Sequence, residues 1–291
     1  MKREHLTEVV VAFLVLTGIV AGWGGVWLTG DRSLERVREA GVIRAGYAVE
    51  PPYAFPTPDG GVSGEDAEVA KWVAARLKIP RIEWKQVKFD RLIPELEYGD
   101  IDVIAAGMFI TAERAKLVSF SEPVFHVRQG LLVRAGNPRG VHSYRQAAMM
   151  PNFKIAVLSS SVEELLLRDV GASDAQLVAV PDAPTGSAAV ESGLADGLAL
   201  SSPTVNWLAS RAWTGKVEAA RPFAQSEQVA NERTGYGAFA FRKQDRSLRK
   251  AWSYELEKFV GSREHLDLVA PFGFTEEEMP GAITTKEVLL K

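Results

Sequence analysis

The 291-residue sequence contains no cysteine, and this absence excludes several kinds of chemistry. Disulfide bridges, thiolate zinc sites, thiol nucleophiles and a lipid anchor on an N-terminal cysteine all need that residue. Histidine is also scarce, and His5, His126, His142 and His265 match no metal-binding spacing. We find neither the G-x-S-x-G elbow of a hydrolase nor a phosphate-binding G-x-x-x-x-G-K-[ST] loop. The sequence thus indicates no catalytic group and no cofactor.

An excess of charge of one sign is also missing. The 34 lysine and arginine residues nearly balance the 37 aspartate and glutamate residues, which leaves a net charge of −3. Nucleic acid is therefore not an expected partner, since its binding requires a clustered basic surface. Hydrophobic residues (46%) and charged residues (24%) have the shares of an ordinary globular protein. A chain this long exceeds one compact core, so two lobes are expected.

The N-terminus carries a long run without charge, residues 9–28. As a helix, this run would span roughly 30 Å, the thickness of the hydrocarbon core of a bilayer. Trp23 and Trp27 lie in its distal half, where a signal-peptide cleavage site needs small residues, and they suit a membrane interface. We therefore favour an uncleaved anchor over a cleaved signal peptide for residues 1–30. Both interpretations predict that the remaining chain lies in the periplasm.

Two blocks of alternating strands and helices follow this run. In the first block, the patterns predict strands at Val42–Tyr47, 82–87 and 101–106, and helices at 66–77 and 90–98. In the second block, they predict strands at 154–158, Leu177–Val180 and 197–200, and helices at 162–168 and 187–192. Further strand-like runs occupy 130–134 and 237–241, and an amphipathic helix occupies 247–260. This alternation predicts an α/β protein with two lobes, each on a mixed, mostly parallel sheet.

The last two strand-like runs lie at the junctions of the blocks and mark points where the chain crosses between lobes. We predict a first lobe of residues 31–129 that residues 236–291 complete, and a second lobe of residues 130–235. The hinge is expected near residues 123–129 and 233–237. Polar and aromatic side chains lie at the strand ends, where open α/β sheets bind their ligands. The chain is therefore predicted to bind a ligand between its lobes.

Two stretches resemble the bacterial solute-binding proteins (family 3) that serve polar amino-acid transporters. The first is GEDAEVA at residues 64–70, which has Glu65 where an aromatic residue is usual. The second is FITAER at residues 109–114, followed by VSFSEP at residues 118–123, and it is more specific. The resemblance implies a type II periplasmic-binding-protein clamshell that is not an enzyme. It also implies two partners, a small zwitterionic solute and an ABC permease with its ATPase.

Within this family, the chain resembles the ectoine- and hydroxyectoine-binding proteins. The matching stretches are EPPY at 50–53, GMF at 107–109, AGNPRG at 135–140, VPD at 180–182 and PFGF at 271–274. The resemblance implies that the chain captures one of these solutes, although the sequence does not separate the two. One departure is Val162, which replaces a threonine of the family and removes the contact of its hydroxyl group.

The resemblance also implies a set of ligand-binding residues. A cage of aromatic faces can hold the broad, weakly hydrated cation of ectoine. A planar guanidinium matches the carboxylate of the ligand with two parallel hydrogen bonds. Two carboxylates serve as partners of the N–H groups of the ligand ring. By position, these residues are Tyr53, Phe89 and Phe109 for the cage, Arg114 for the carboxylate, and Glu50 and Glu163 for the N–H groups.

Several of these residues also have ordinary structural explanations. Arg114 can pair with Glu113 on a helix surface, and Phe109 can pack in the core after an apolar strand. Phe89 can pack against the helix that begins at residue 90. Glu163 suits the positive end of a helix dipole, because it lies in the first turn of a predicted helix.

Two other functions stay open. A receptor for a polar α-amino acid usually has an acidic residue at the end of a second-lobe strand, where this chain has Ser201. A buried ammonium group without a carboxylate partner is poorly compensated, so Ser201 is predicted to contact a ligand with a different cation. An enzyme on the same clamshell, a prephenate or arogenate dehydratase, is the less favoured alternative. Glu163 or Glu50 would then serve as its acid.

Overall fold

The computed structural model describes residues 30–212, 215–225 and 234–290. Residues 9–28, for which we predict a membrane anchor, lie outside these ranges. Of the helices within the described ranges, none combines the length and the apolar character needed to cross a membrane.

Strands and helices alternate along the described chain. The strands are β1 (Val42–Tyr47), β2 (Phe55–Pro56), β3 (Val62–Ser63), β4 (Arg81–Gln86), β5 (Val103–Ile104), β6 (Val118–Phe120), β7 (Phe125–Arg134), β8 (Ile155–Leu158), β9 (Leu177–Val180), β10 (Gly197–Ser201), β11 (Val217–Ala219), β12 (Thr234–Gly237) and β13 (Ala240–Arg242). The helices are α1 (Ser33–Ala40), α2 (Glu65–Arg76), α3 (Leu92–Tyr98), α4 (Ala112–Leu117), α5 (Tyr144–Met149), α6 (Val162–Asp169), α7 (Ala183–Ser192), α8 (Ser202–Arg211), α9 (Arg246–Phe259), α10 (Arg263–Val269) and α11 (Thr285–Leu290). Short 3₁₀ turns lie at Phe89–Arg91, Ala270–Phe272 and Glu276–Glu278.

The first lobe is built on a sheet with the strand order β4-β1-β5-β13-β6. β1 is parallel to β4 and β5, whereas β13 is antiparallel to β5 and β6. A strand from the C-terminal part of the chain therefore lies inside this sheet. Trp252 of α9 contacts Phe239 and Phe241 edge to face, and this packing fixes the C-terminal helix on the same lobe.

The second lobe is built on a sheet with the strand order β11-β7-β10-β8-β9. β8 is parallel to β9 and β10, and β7 is antiparallel to β10 and β11. Every residue of β8 (IAVL) and β10 (GLALS) is buried. Continuous burial is typical of central strands that are covered on both faces.

Strands β7 and β12 connect the two sheets. Residues 125–128 of β7 pair with β12, whereas the following residues of β7 pair with β10 and β11. β12 is followed after two residues by β13, which lies in the first sheet. The chain thus passes between the lobes along two antiparallel strands that are bonded to each other.

The predicted α/β fold with two mixed sheets is confirmed. Parallel pairing holds within β4-β1-β5 and β10-β8-β9, but the pairs made by β7, β12 and β13 are antiparallel. The strand predicted at 237–241 is divided, since β12 and β13 pair in different sheets. α7 begins at Ala183, before the predicted start, because Asp182 caps it by accepting a hydrogen bond from the backbone N–H of Thr185 at 2.8 Å.

Candidate functional site

A chain of hydrogen bonds through four buried side chains joins the two lobes. Glu50 and Tyr53 follow β1 in the first lobe, and Ser201 and Thr204 lie where β10 runs into α8. The hydroxyl oxygens of Tyr53 and Ser201 are 2.9 Å apart, and those of Ser201 and Thr204 are 3.2 Å apart. Thr204 Oγ1 donates to Glu50 Oε1 at 2.9 Å. Three predicted site residues thus meet between the lobes.

Arg114 lies in the first turn of α4 and reaches across to the second lobe. Its guanidinium donates to the carbonyl oxygens of Phe109 and Ser160, each at 2.9 Å. Glu163 and Glu50 influence this guanidinium through their charge, without a hydrogen bond to it. The alternative pairing of Arg114 with Glu113 is not observed, since Glu113 pairs with Lys116 at 2.6 Å. The cation is therefore held by neutral acceptors.

Two predicted cage residues lie around Arg114. The Cζ atom of Arg114 is 5.2 Å from the centroid of the Phe89 ring, within the range of a cation–π contact. The ring of Phe109 packs against β12 at Gly235, where a Cβ atom would lie only 2.4 Å from it. Gly235 therefore needs to be glycine, because any side chain there would displace Phe109.

Tyr53, the third predicted cage residue, has different surroundings. The residue is 1% exposed, and its ring stacks on Phe125 with a centroid separation of 5.0 Å. The centroid of Phe274 lies 5.8 Å away. Gly107, which has a φ of +63°, approaches so closely that a Cβ atom would lie 2.6 Å from the Tyr53 ring. Tyr53 thus packs in the core through its ring and presents its hydroxyl group to Ser201.

Glu163 lies in the first turn of α6, which Ser161 caps by accepting a hydrogen bond from the backbone N–H of Glu164 at 3.1 Å. The side chain of Glu163 is buried, and burial raises its pKa to about 7 although Arg114 and Ser161 favour the charged form. The negative charge of Glu163 adds to burial in raising the pKa of Tyr144. Glu163 therefore lies in the same buried region as Arg114.

The charges of the site interact through a region of low polarity. Burial, together with the negative charge of Glu163, raises the pKa of Glu50 to about 8, while the hydrogen bond from Thr204 opposes this shift. Burial lowers the pKa of Arg114 to about 10, so that its guanidinium stays charged at neutral pH. Near pH 7 the site thus contains one cation and two carboxyl groups close to their titration points.

A second pair of carboxyl groups is buried beside Tyr53. Glu65 and Asp66 begin α2, and Asp66 Oδ2 accepts a hydrogen bond from the backbone N–H of Gly107 at 2.6 Å. No donor among the described residues reaches the carboxyl group of Glu65. Burial and the charge of Asp66 raise the pKa of Glu65 well above its usual range, and burial raises the pKa of Asp66 to about 6. Burial thus disfavours the charged form of both carboxyl groups.

A groove of about 500 Å³ lies beside Arg114 and is lined by both lobes. The first lobe contributes Phe89 and Met108, and the second contributes Ser160, Val162 and Leu165. Val162, which replaces a threonine of the resembled family, thus forms an apolar part of the wall. Of the seven residues predicted from the sequence, Phe89 and Arg114 line this groove.

A larger cavity of about 1390 Å³ lies elsewhere and is lined by His126, Arg128, Trp207 and Phe272, among others. None of the seven residues predicted from the sequence lines it. The candidate ligand site is therefore the region around Arg114, where charged, aromatic and hydroxyl groups from both lobes converge.

The structure brings all seven predicted residues into one region between the lobes, and their roles toward a ligand stay predictions. Sequence reasoning missed Thr204, which lies three residues after Ser201 in the first turn of α8 and holds the carboxyl group of Glu50. It also missed the carbonyl of Ser160 as a partner of Arg114. Within the described ranges, no cluster of three histidine, aspartate or glutamate side chains could hold a metal ion.

Known proteins match this fold over most of the chain. The chain is 32% identical over 265 residues to the probable amino-acid ABC transporter periplasmic-binding protein y4tE of Sinorhizobium fredii, a match that covers 90% of this chain and 87% of that protein. The structure of this chain is similar to that of EhuB in complex with hydroxyectoine. The TM-score is 0.82, and the identity is 30% over 90% of this chain and 100% of that one.

A further solved structure has the same fold. The ancestral amino acid-binding protein AncCDT-1, a precursor of cyclohexadienyl dehydratase, matches with a TM-score of 0.72 and 25% identity over 82% of this chain and 99% of that one. In addition, residues 43–273 match the bacterial extracellular solute-binding proteins, family 3. That match runs through both lobes and confirms the resemblance drawn from the sequence. The chain belongs to the bacterial extracellular solute-binding proteins of family 3.

Proposed function

We propose that this protein captures ectoine or hydroxyectoine in the periplasm and delivers it to the permease of an ABC importer. The observation that carries the proposal is the setting of Arg114, whose guanidinium is held between the lobes by carbonyl oxygens. Its charge is available for the carboxylate of a ligand. Glu50 and Glu163, buried nearby, supply the opposite charge for the cation of the same ligand.

The aromatic rings fit the chemistry of such a solute. The cation of ectoine is a delocalised amidinium, and an aromatic face stabilises a broad cation by about 1–2 kcal/mol once water is excluded. The ring of Phe89 and the backbone carbonyl of Phe109 contact Arg114, so one compact zwitterion can contact rings, guanidinium and carboxyl groups together. The similarity to EhuB, which was solved with hydroxyectoine, supports this ligand class.

A receptor for a polar α-amino acid is the competing proposal, and the similarity to y4tE supports it. The environment of Ser201 argues against it. The Ser201 hydroxyl is already bonded to Tyr53 and Thr204, and it supplies no negative charge for an α-ammonium group.

Isothermal titration calorimetry of the purified protein tests the proposal. We expect micromolar or tighter binding of ectoine or hydroxyectoine, and much weaker binding of glycine betaine and common α-amino acids. Binding of glutamate, glutamine or arginine without binding of either ectoine would reject the proposed ligand and leave only the family.

The variant Ser201→Asp separates the two ligand classes. In a site built for an α-ammonium group, the restored carboxylate strengthens amino-acid binding. In a site built for an amidinium with its own carboxylate partners, the extra buried charge weakens ectoine binding. We expect the second result. Stronger binding of an amino acid by this variant would favour the competing proposal.

We also propose that the protein is anchored to the membrane. The family is extracellular to the cytoplasmic membrane, and we propose that residues 9–28 hold the protein at the periplasmic face of the inner membrane. The intact mass of the native protein tests this, because cleavage removes about thirty residues. We expect the native protein to keep these residues and to be found in the membrane fraction.

A further inference from the structure

Gln129 lies in the wall of the cleft, although no sequence motif points to it. It belongs to β7 and is directly opposite Ser201 of β10 in the antiparallel register. Residues that face each other in antiparallel strands place their side chains on the same side of the sheet. The Ser201 hydroxyl is directed at the other lobe, where it contacts Tyr53. The side chain of Gln129 therefore lies on the cleft side of the second sheet.

The side-chain amide of Gln129 is buried, and no described residue bonds to it. The residue is 4% exposed, and neither Nε2 nor Oε1 makes a hydrogen bond to any described residue. Its backbone groups, in contrast, are both bonded to the side chain of Gln225, at 3.0 Å and 2.9 Å. A buried amide without partners is unfavourable for folding, and such groups are rare in native proteins.

A second buried glutamine of this protein has hydrogen-bond partners, so burial alone does not explain why the side chain of Gln129 has none among the described residues. Gln176 is 5% exposed, yet its Nε2 donates to the carbonyl oxygen of Met150 at 2.9 Å. Its Oε1 accepts hydrogen bonds from the backbone N–H and the hydroxyl group of Ser173. The difference between the two glutamines is their place, since only Gln129 lies at the cleft.

We infer that Gln129 is a ligand-binding residue whose side-chain amide hydrogen-bonds an uncharged hydroxyl group of the bound zwitterion. This inference rests on the proposed function and names a preference within it. The charged groups of the ligand have ionisable partners in Arg114, Glu50 and Glu163. A neutral amide, with one acceptor and two donors, matches a hydroxyl group, which both donates and accepts. Gln129 thus favours hydroxyectoine over ectoine.

The test compares the two solutes, which differ by one hydroxyl group, on the wild type and two variants. Gln129→Met keeps the length of the side chain and removes its hydrogen bonds. We expect it to lower the affinity for hydroxyectoine about ten-fold and the affinity for ectoine less than about two-fold. Gln176→Met, the matched control, leaves both affinities unchanged.

Thermal unfolding without ligand gives an independent readout. Gln129→Met is expected to be at least as stable as the wild type, because it removes an unsatisfied buried amide. Gln176→Met is expected to be less stable, since it leaves several backbone groups without partners. Equal losses of affinity for both solutes, or no loss for either, would overturn the inference. A wild-type protein that binds neither solute would reject the proposed function instead, and the inference with it.

Discussion

At the scale of single residues, the site depends on how one arginine is held. Arg114 donates to the carbonyl oxygens of Phe109 and Ser160, which fix the plane of the guanidinium without neutralising it. An arginine that was paired with a carboxylate would have to break that ion pair before it bound a ligand. The arrangement keeps the cation oriented and electrostatically available, as preorganised binding requires.

Removal of this side chain is expected to weaken ligand binding strongly. Arg114→Ala leaves the desolvated carboxylate of the ligand unpaired, at a cost on the order of 2–5 kcal/mol. This corresponds to a loss of affinity of roughly thirty-fold to several thousand-fold in calorimetry. Arg263→Ala is the control, because Arg263 is exposed and pairs with Asp267 on α10, away from the site. A loss of less than about three-fold for Arg114→Ala would contradict the assigned role.

The two buried carboxyl groups make ligand binding dependent on pH. In the closed arrangement, burial raises the pKa of Glu50 to about 8 and that of Glu163 to about 7, so both groups bind protons there as the pH falls from 8 to 6. The cationic group of the bound zwitterion favours the charged forms and lowers both pKa values, which means that binding releases protons. We expect the affinity to fall at least about ten-fold from pH 8 to pH 6.

Calorimetry at pH 7 in two buffers with different ionisation enthalpies checks this sign, because the difference in heat reports the released protons. The variant Glu50→Gln is expected to release fewer protons. Proton uptake on binding, or an affinity that does not change between pH 6 and pH 8, would contradict a direct contact of these groups with the cation.

At the scale of elements, the beginning of α6 links stability to binding. Ser161 caps this helix and also hydrogen-bonds Glu163, while its neighbour Ser160 presents a carbonyl oxygen to Arg114. Ser161→Ala is therefore expected to lower the free energy of unfolding by about 1 kcal/mol and to weaken ligand binding as well.

Ser262 provides the matched control, since it caps α10 by accepting a hydrogen bond from the backbone N–H of His265 at the same distance of 3.1 Å. Ser262→Ala is expected to cost a similar free energy of unfolding and to leave the affinity unchanged. Denaturant unfolding and calorimetry measure the two effects separately. If Ser161→Ala and Ser262→Ala changed the affinity equally, the cap of α6 would act on stability alone and not on binding.

Elements with a strong hydrophobic pattern could be predicted from the sequence, and those defined by distant pairing could not. The patterns of β1, β8 and β9 are local, and their strands form where predicted. β7 begins earlier than predicted because its first residues pair with β12, about a hundred positions later. The same limit applies to the site. Arg114 lies in a recognisable motif, whereas Gln129 gains its position from the register with Ser201.

At the scale of the whole molecule, the lobes contact each other at more than one place. The hydrogen bonds from Arg114 to Ser160 and from Tyr53 to Ser201 form one part of these contacts. An aromatic cluster forms another: the ring of Trp207 on α8 lies 5.5 Å from that of Phe55 and 6.4 Å from that of Phe272. These contacts describe a closed arrangement, and β7 with β12 provides the expected hinge.

We expect ligand to shift the protein from an open to this closed arrangement, because only the closed form brings Arg114 and Glu163 onto one molecule. X-ray scattering should then show a smaller radius of gyration with saturating ectoine. Tryptophan fluorescence provides a local readout, since closure surrounds Trp207 with Phe55 and Phe272. Trp207→Phe should remove most of the ligand-dependent change in emission. Trp72→Phe should retain it, because Trp72 stacks on Phe259 at 3.8 Å within the first lobe. A radius of gyration that stays constant at saturation would contradict closure.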